Sequence, residues 1–309
     1  MCGLSAHDSR PAPRLPSENL IHLRRQPSAT STGGYRRLMM QIHVGFEMIY
    51  DCPQPTPMIF NLNVHFTRVS DLVGRDVLVV DPPVPISAYR DDFGNWCTRI
   101  VAPQGRTRIS ADALVNDTGL PDVIVPQAQQ IPVPDLPEDT LIFLLGSRYC
   151  ETDRLSDTAW NLFGEAPAGW GRVQAICDYV YRHLTFGYEH ARMTRTALEA
   201  FHDRRGVCRD FAHLAVAFCR CMNIPARYCT GYLGDIGVPP VDDPMDFSAW
   251  FDVFLGGQWH TFDARHNTPR IGRVLIARGR DAADVALSNT FGPTTLTRFR
   301  VWADEAPNG

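Results

Sequence analysis

The feature that most constrains the fold is a helix that begins at a cysteine. In RRGVCRDFAHLAVAFCR, residues 204–220, Gly206 leads through one valine straight into a segment with helical periodicity. Its apolar residues fall at i, i+3, i+4, i+7 and i+11, namely Phe211, Leu214, Ala215, Phe218 and Met222, which places one apolar stripe against a core. Gly206 permits a tight turn into the helix, and Asn223 with Pro225 ends it. The sequence therefore predicts an amphipathic helix with Cys208 in its first turn.

Cys208 differs from other cysteines of the chain in where it falls on this pattern. It lies in the first turn rather than on the apolar stripe, where unpaired backbone N–H groups and the positive end of the helix dipole favour the thiolate. The same N–H groups can stabilise an oxyanion. Cysteines inside helix or strand patterns are typical small core residues, and this role is assigned to Cys177, Cys219, Cys221 and Cys229. Cys208 is therefore a candidate nucleophile, with a core role as the alternative.

Composition and pattern divide the chain into four regions. Residues 1–38 are rich in Pro, Ser, Arg and Gly without a hydrophobic period, which predicts a disordered extension, and the two methionines that follow leave open a later start of translation. Residues 39–120 hold short alternating runs cut by Pro, Gly and Asp, which predict a β-sandwich-like domain. Residues 121–165 form a proline-rich linker and helical connection. Residues 166–309 carry helical periods and then strands.

A hairpin is predicted after the Cys208 helix. The stretch ARYCTGYLGD favours a strand, and the runs FSAWFDVFL and QWHTFDARH are separated only by Gly256 and Gly257. Two glycines between alternating runs predict a two-residue turn. Such a turn pairs Val253 with His260 across the hairpin, since residues equidistant from the turn lie opposite one another.

Charge and composition exclude several classes of function. The chain has 44% hydrophobic and 21% charged residues and a formal charge of −4, so nucleic acid is not an expected partner. No apolar stretch is long enough for a membrane span or a secretory signal, which predicts a cytoplasmic protein without membrane contact. Nine irregularly spaced cysteines favour reduced thiols. We expect no cofactor and no metal, since the acidic loop at 242–246 lacks an ordered calcium-ligand ladder. The oligomeric state is not predicted.

The stretch GVCRDFAHLAVAFCRCMNIPARYCTGYL, followed by AWFDVFLGGQWHTFD, resembles bacterial transglutaminase-like proteins, a superfamily related in fold to papain-type cysteine proteases. The similarity covers about residues 168–300, and the β-rich stretch 40–120 is similar to the N-terminal region of bacterial members. The resemblance implies an α+β fold, in which the cysteine-bearing helix packs on an antiparallel sheet after a β-sandwich-like domain. It also implies that the nucleophile is Cys208 and the acid is Asp263.

The histidine that this family carries in an H-A-W pattern is absent, because the sequence reads Ser248-Ala249-Trp250. A serine hydroxyl cannot accept the thiol proton at neutral pH. The alternation of side chains along a strand places Asp263 on one face and His266 on the other. A bulge or turn after Asp263 would bring His266 across as a substitute base. His260 and His213 are interpreted as structural histidines.

A series of arginines follows the hairpin, namely Arg265, Arg270, Arg273, Arg278 and Arg280. Guanidinium groups recognise planar anions, so this series is a candidate for binding a carboxylate or an acidic partner chain. The alternative is that these arginines are solvated or paired with Asp281 and Asp284.

These observations lead to two functional hypotheses. The first is a transglutaminase-like cysteine amidase or protease that acts on peptide or isopeptide amides of a peptide or protein substrate, through a thioester at Cys208. The second is a catalytically impaired binding module of the same fold, motivated by Ser248. Hydrolysis and transamidation are not distinguished by the sequence.

Overall fold

The computed structural model describes residues 40–241 and 244–307. The predicted extension at 1–38 lies outside the described residues. The strands of the first half are β1 (Met40–Cys52), β2 (Thr56–Phe60), β3 (Leu72–Val73), β4 (Val79–Asp81), β5 (Ser87–Arg90), β6 (Trp96–Ala102) and β7 (Gly105–Asp117). The strands of the second half are β8 (Thr185–Phe186), β9 (Arg205–Gly206), β10 (Ala226–Tyr232), β11 (Ser248–Leu255), β12 (Gln258–Phe262), β13 (Val274–Gly279), β14 (Ser288–Thr290) and β15 (Thr295–Glu305). The helices are α1 (Glu138–Leu141), α2 (Thr152–Phe163), α3 (Trp170–His183), α4 (Ala197–Asp203) and α5 (Cys208–Cys221).

The first half forms two sheets that share a core, as the alternating sequence pattern predicts. One sheet has the order β15-β1-β7-β3 with β4 also paired to β7, and the other has the order β14-β2-β6-β5. Phe46 and Ile109 from the first sheet belong to the same buried cluster as Phe60 and Ile100 from the second. Burial of alternate side chains on facing sheets is the arrangement of a β-sandwich.

Two strands from the C-terminal end complete these sheets. The last strand, β15, pairs antiparallel with β1, and β14 pairs antiparallel with β2. After the strands of the second half, the chain therefore returns to the sheets of the first half. The predicted division at residues 120 and 165 remains a prediction, and the described residues cluster as one compact unit.

The second half places helices on one face of an antiparallel sheet with the order β12-β11-β10-β13. Helix α5 packs on β10 and β11 of this sheet. Phe218 of its apolar stripe faces the helices, with its ring centre 5.2 Å from that of Phe163 in α2 and 6.0 Å from that of Tyr179 in α3. Helices α2 and α3 pack against α5 from the other side. The α+β fold with a cysteine-bearing helix on an antiparallel sheet is thus confirmed.

The hairpin between β11 and β12 has the predicted turn and register. Gly256 and Gly257 both have positive φ, at 57° and 87°, which is the conformation that a two-residue type I′ turn requires. Val253 pairs with His260, as the sequence predicts. The pairing ends at Phe262, so the residues after it leave the strand.

Candidate active site

Helix α5 begins at Cys208, and buried polar contacts fix its first turn. The Asp210 carboxylate accepts a hydrogen bond from the backbone N–H of Val207 at 2.9 Å, which caps the helix start. Arg195, itself buried, donates to the same carboxylate at 3.1 Å. Gly206 is required by close approach, since a Cβ there would lie 2.5 Å from Asp210 Oδ2. The N–H of Asp210 donates to the Val207 carbonyl at 2.8 Å. The N–H of Cys208, the first residue of α5, has no carbonyl partner within the helix and is able to bind an oxyanion.

Cys208 is partly exposed, whereas the other seven described cysteines are buried and all eight are free thiols. The expectation of a thiolate at this helix terminus is wrong for the described state. Burial, together with the charge of Asp246, raises the pKa of the Cys208 thiol to about 12, although the backbone of Ala249 and the charge of Arg265 lower it. Desolvation is the largest of these effects, and it favours the neutral thiol. The thiol contacts the carbonyl oxygen of Phe247 at 3.9 Å.

The segment after β12 turns sharply and brings His266 onto Asp263. Asp263 Oδ1 accepts the backbone N–H groups of Arg265 at 2.9 Å and His266 at 3.1 Å, and its carbonyl accepts the N–H of Asn267 at 2.8 Å. Asn267 has a positive φ of 51°, which asparagine tolerates better than most residues. His266 Nδ1 then donates to Asp263 Oδ2 at 2.8 Å. Strand alternation alone placed His266 on the opposite face, and the turn is the reason it does not lie there.

Helix α3 supports this turn from outside. The Asn267 amide donates to Asp178 at 2.8 Å and accepts from Gln174 at 3.0 Å. These contacts anchor the residue that follows His266, so the orientation of the imidazole is fixed by packing as well as by Asp263.

Asp263 is a buried carboxylate held by charge. Burial alone would raise the pKa of Asp263, but the guanidinium of Arg273 and the hydrogen bond from His266 hold it well below its usual range. Arg273 Nη2 donates to Asp263 Oδ2 at 2.9 Å, and Arg273 Nε donates to Asp122 at 2.9 Å. Asp263 is therefore ionised in the folded protein and can orient the imidazole and stabilise an imidazolium.

Arg265 is hydrogen-bonded to the second ring nitrogen of His266. Its Nη1 donates to His266 Nε2, while the guanidinium carbon lies 3.8 Å from the ring centre of Phe186. With Nδ1 donating to Asp263, the Nε2 atom carries the lone pair that a general base needs. The charge of Arg265 lowers the pKa of the Cys208 thiol, and the charge of Asp263 raises it.

The remaining predicted positions have ordinary structural surroundings. Ser248 is buried, and its carbonyl accepts the Thr230 hydroxyl at 3.0 Å. His260 is buried, with Nε2 3.2 Å from the Leu255 carbonyl oxygen. His213 is fully buried and accepts the Ala282 N–H at 3.1 Å. Within the described ranges, no group of three or more His, Cys, Asp and Glu side chains is placed to hold a metal ion.

Sequence reasoning missed two residues of this site, Arg273 as the partner of Asp263 and Asp122 as the second partner of Arg273. Arg273 was noted only within an arginine series, and Asp122 lies in the proline-rich linker, 151 positions before the arginine that it binds. The signal available in the sequence was the series of arginines after the hairpin, but that series does not indicate which aspartates the arginines bind.

Comparison with known proteins agrees with the fold. The family model of the transglutaminase-like superfamily matches residues 158–264. The crystal structure of a candidate cysteine protease from Cytophaga hutchinsonii is 32% identical, with a TM-score of 0.75, and the match covers 88% of this chain and 92% of that protein. The chain belongs to the transglutaminase-like superfamily.

Curated relatives match over shorter stretches. An uncharacterized protein of Mycobacterium leprae is 36% identical over 94 residues, covering 29% of this chain and 33% of that protein. An uncharacterized protein of Mycobacterium tuberculosis is 30% identical over 122 residues, covering 37% of this chain and 39% of that protein. The chain thus spans between a third and two fifths of the length of these relatives. None of the helices in the described part of the chain has the length and apolar character of a membrane span.

Proposed function

We propose that the protein is a cysteine amidase or acyl transferase that acts on peptide or isopeptide amides through a thioester at Cys208. The observation that carries the proposal is the hydrogen-bonded series His266, Asp263 and Arg273. The charge of its Asp263 acts on the partly exposed Cys208 at the start of α5. This series supplies an oriented imidazole in a chain that has Ser248 at the sequence position of the family's histidine.

The proposed reaction begins from a neutral thiol. With a pKa of about 12, only about one thiol in 10⁵ is ionised at pH 7. Attack therefore needs a base that removes the proton as the bond forms. His266 Nε2 takes the proton from Cys208 Sγ while the sulfur bonds to the amide carbon, and Asp263 stabilises the resulting imidazolium.

Collapse of the tetrahedral intermediate completes acyl transfer. The backbone N–H of Cys208 stabilises the oxyanion. The C–N bond breaks, the amine leaves with the proton from His266, and the acyl group remains as a thioester on Cys208. Water or a second amine then attacks the thioester and releases the thiol, with His266 accepting the proton of the attacking group. Arg265 must first withdraw from His266 Nε2, and the nearby ring of Phe186 offers its guanidinium a cation–π contact in the described state.

Acylation with p-nitrophenyl acetate tests this proposal. The wild-type protein is expected to release p-nitrophenolate and to gain the mass of one acetyl group on Cys208. Cys208→Ser should abolish both signals, whereas Cys221→Ser, a control on the same helix, should keep them. Labelling that persists in Cys208→Ser, or a wild-type protein that is not acylated, would reject the proposed nucleophile.

The second candidate is a binding module with an impaired site. It is favoured by the raised pKa of Cys208 and by the contact between Arg265 and His266 Nε2. In that case the wild-type protein remains unacylated, and a histidine at the family position restores activity. Acylation by Ser248→His but not by the wild-type protein would support this candidate over the enzyme.

A further inference from the structure

A cavity of the described chain lies apart from Cys208, which is not among its lining residues. It has a volume of about 560 Å³, which falls in the size range of small-molecule sites, about 300–1,000 Å³. It lies on the face of the sheet opposite α5, since Trp250 and Asp252 line it while their strand neighbours Phe251 and Val253 pack with the helix. We name it the arginine cavity, after the five arginines that line it: Arg68, Arg227, Arg270, Arg273 and Arg278.

Positive charge exceeds negative charge in this cavity. Three carboxylates line it, and each is bound by one arginine. Asp117 lies 3.2 Å from Arg68, Asp252 lies 2.8 Å from Arg227, and Asp122 lies 2.9 Å from Arg273. The lining itself therefore carries a formal charge of +2. Behind it, Asp71 pairs with Arg68, Asp263 with Arg273 and Asp235 with Arg270, so that Arg278 is the lining arginine without a carboxylate in an ion pair among the described residues.

Arg270 and Arg273 of this lining each carry one buried N–H group without an acceptor. Both side chains are more than nine-tenths buried, with 6% and 8% exposure, and Arg270 Nε and Arg273 Nη1 have no hydrogen-bond partner. Arg270 Nη2 donates to the Gly234 carbonyl at 2.9 Å, with Asp235 only at 3.7 Å. A buried charged N–H without an acceptor costs free energy. An acceptor brought by a ligand would remove that cost.

Arg278 adds a guanidinium without a carboxylate. Among the described residues no Asp or Glu side chain forms an ion pair with it, and its nearest aromatic contact is Phe66 at 5.9 Å. Burial and the charge of Arg227 lower the pKa of Arg278. The charge of a bound anion would act in the opposite direction and stabilise the guanidinium cation.

We propose that the arginine cavity is a binding site for a small oxyanion ligand, an organic carboxylate or a phosphate. Guanidinium groups bind both through parallel N–H donors. The tryptophan rings of the lining are already covered by arginines, Trp259 by Arg227 at 4.0 Å and Trp250 by Arg273 at 5.1 Å, which stiffens the donors. The site is separate from the amide chemistry, although Arg273 contacts both.

Calorimetric titration with two probes, inorganic phosphate and citrate, tests the proposal. The ionic strength is kept constant by adding sodium chloride. The wild-type protein should bind at least one probe with one-to-one stoichiometry. Arg278→Gln should weaken that binding by at least about tenfold, since a hydrogen bond to a charged group is at stake. Tight citrate with weak phosphate identifies a carboxylate site, and the reverse identifies a phosphate site.

Arg280→Gln is the matched control. Arg280 lies two positions further along, pairs with Asp284 at 2.8 Å and does not line the cavity, so its loss should leave affinity unchanged. Arg270→Lys keeps the charge but removes Nε, and should also weaken binding, with thermal melting used to verify folding of each variant. The proposal is overturned if neither probe binds, or if Arg278→Gln and Arg280→Gln bind equally well.

Discussion

Arg273 belongs to two regions, the surroundings of Asp263 and the arginine cavity, and these differ in how completely their buried charged groups are hydrogen-bonded. Around Asp263, each carboxylate oxygen is bound, Oδ1 by two backbone N–H groups and Oδ2 by His266 and Arg273. In the arginine cavity, buried donors of Arg270 and Arg273 lack acceptors. A saturated network preorganises an imidazole without help, whereas an unsaturated one is complete only with a ligand.

The saturated region should lose activity when its central carboxylate is neutralised. Asp263→Asn keeps the shape but cannot stabilise an imidazolium, so acylation of Cys208 should slow by about 10²–10⁴-fold. The release of p-nitrophenolate measures this rate. Asp252→Asn is the control, since it removes a buried, arginine-paired carboxylate of the same hairpin, and it should leave the rate of the folded protein within a few fold. Equal rates in both variants would contradict a special role for Asp263.

The shared residue should matter for stability. Arg273→Gln leaves Asp263 and Asp122 without their buried cation, and breaking a buried ion pair costs about 3–5 kcal/mol in the free energy of unfolding. Denaturant titration measures the change. Arg280→Gln, which removes a surface pair, should cost about 0–1 kcal/mol. A small and equal loss in both variants would show that the Asp263 network contributes no special stability.

Acid should weaken the saturated region first. Because the pKa of Asp263 is lowered in the folded protein, its charge contributes stability that is fully present above the ordinary pKa of about 4 in an unfolded chain, and this is lost as the pH falls towards the folded value. Melting temperatures followed from about pH 6 to pH 3 should therefore drop more steeply for the wild-type protein than for Asp263→Asn. Parallel curves would contradict the lowered pKa.

The smallest expected effect concerns Arg265. Its charge lowers the pKa of Cys208, so in Arg265→Gln the thiol should react with iodoacetamide several-fold more slowly at pH 8. Arg280→Gln again serves as the control. A faster reaction in Arg265→Gln would instead show that the contact with His266 Nε2 restrains the base more than the charge assists the thiol.

The sequence predicted the parts of this molecule that depend on local pattern. The helix at Cys208 follows from a 3.6-residue apolar period, and the hairpin register follows from two glycines that adopt positive φ. Both are short-range rules, and both are confirmed. The sandwich was predicted in kind, but the return of β15 to β1 was not, since nothing local specifies a partner more than 200 positions away.

The site was predictable only in part for the same reason. Strand alternation ends at Phe262, and the turn that carries His266 to Asp263 depends on Asn267 and its contacts with α3, which no strand rule includes. The pairing of Arg273 with Asp122 joins distant segments. The thiolate expected at Cys208 differs from the raised pKa of this thiol, because the position at a helix start is visible in the sequence, whereas the desolvation of the sulfur depends on the tertiary fold.

The most direct test of the account is the rate of Cys208 acylation by p-nitrophenyl acetate in His266→Gln, with His202→Gln, an exposed histidine on α4, as the control. The account predicts a loss of at least about 10²-fold for His266→Gln, with an unchanged rate for His202→Gln. A folded His266→Gln protein that is acylated at the wild-type rate would contradict the claim that His266 replaces the histidine missing at Ser248.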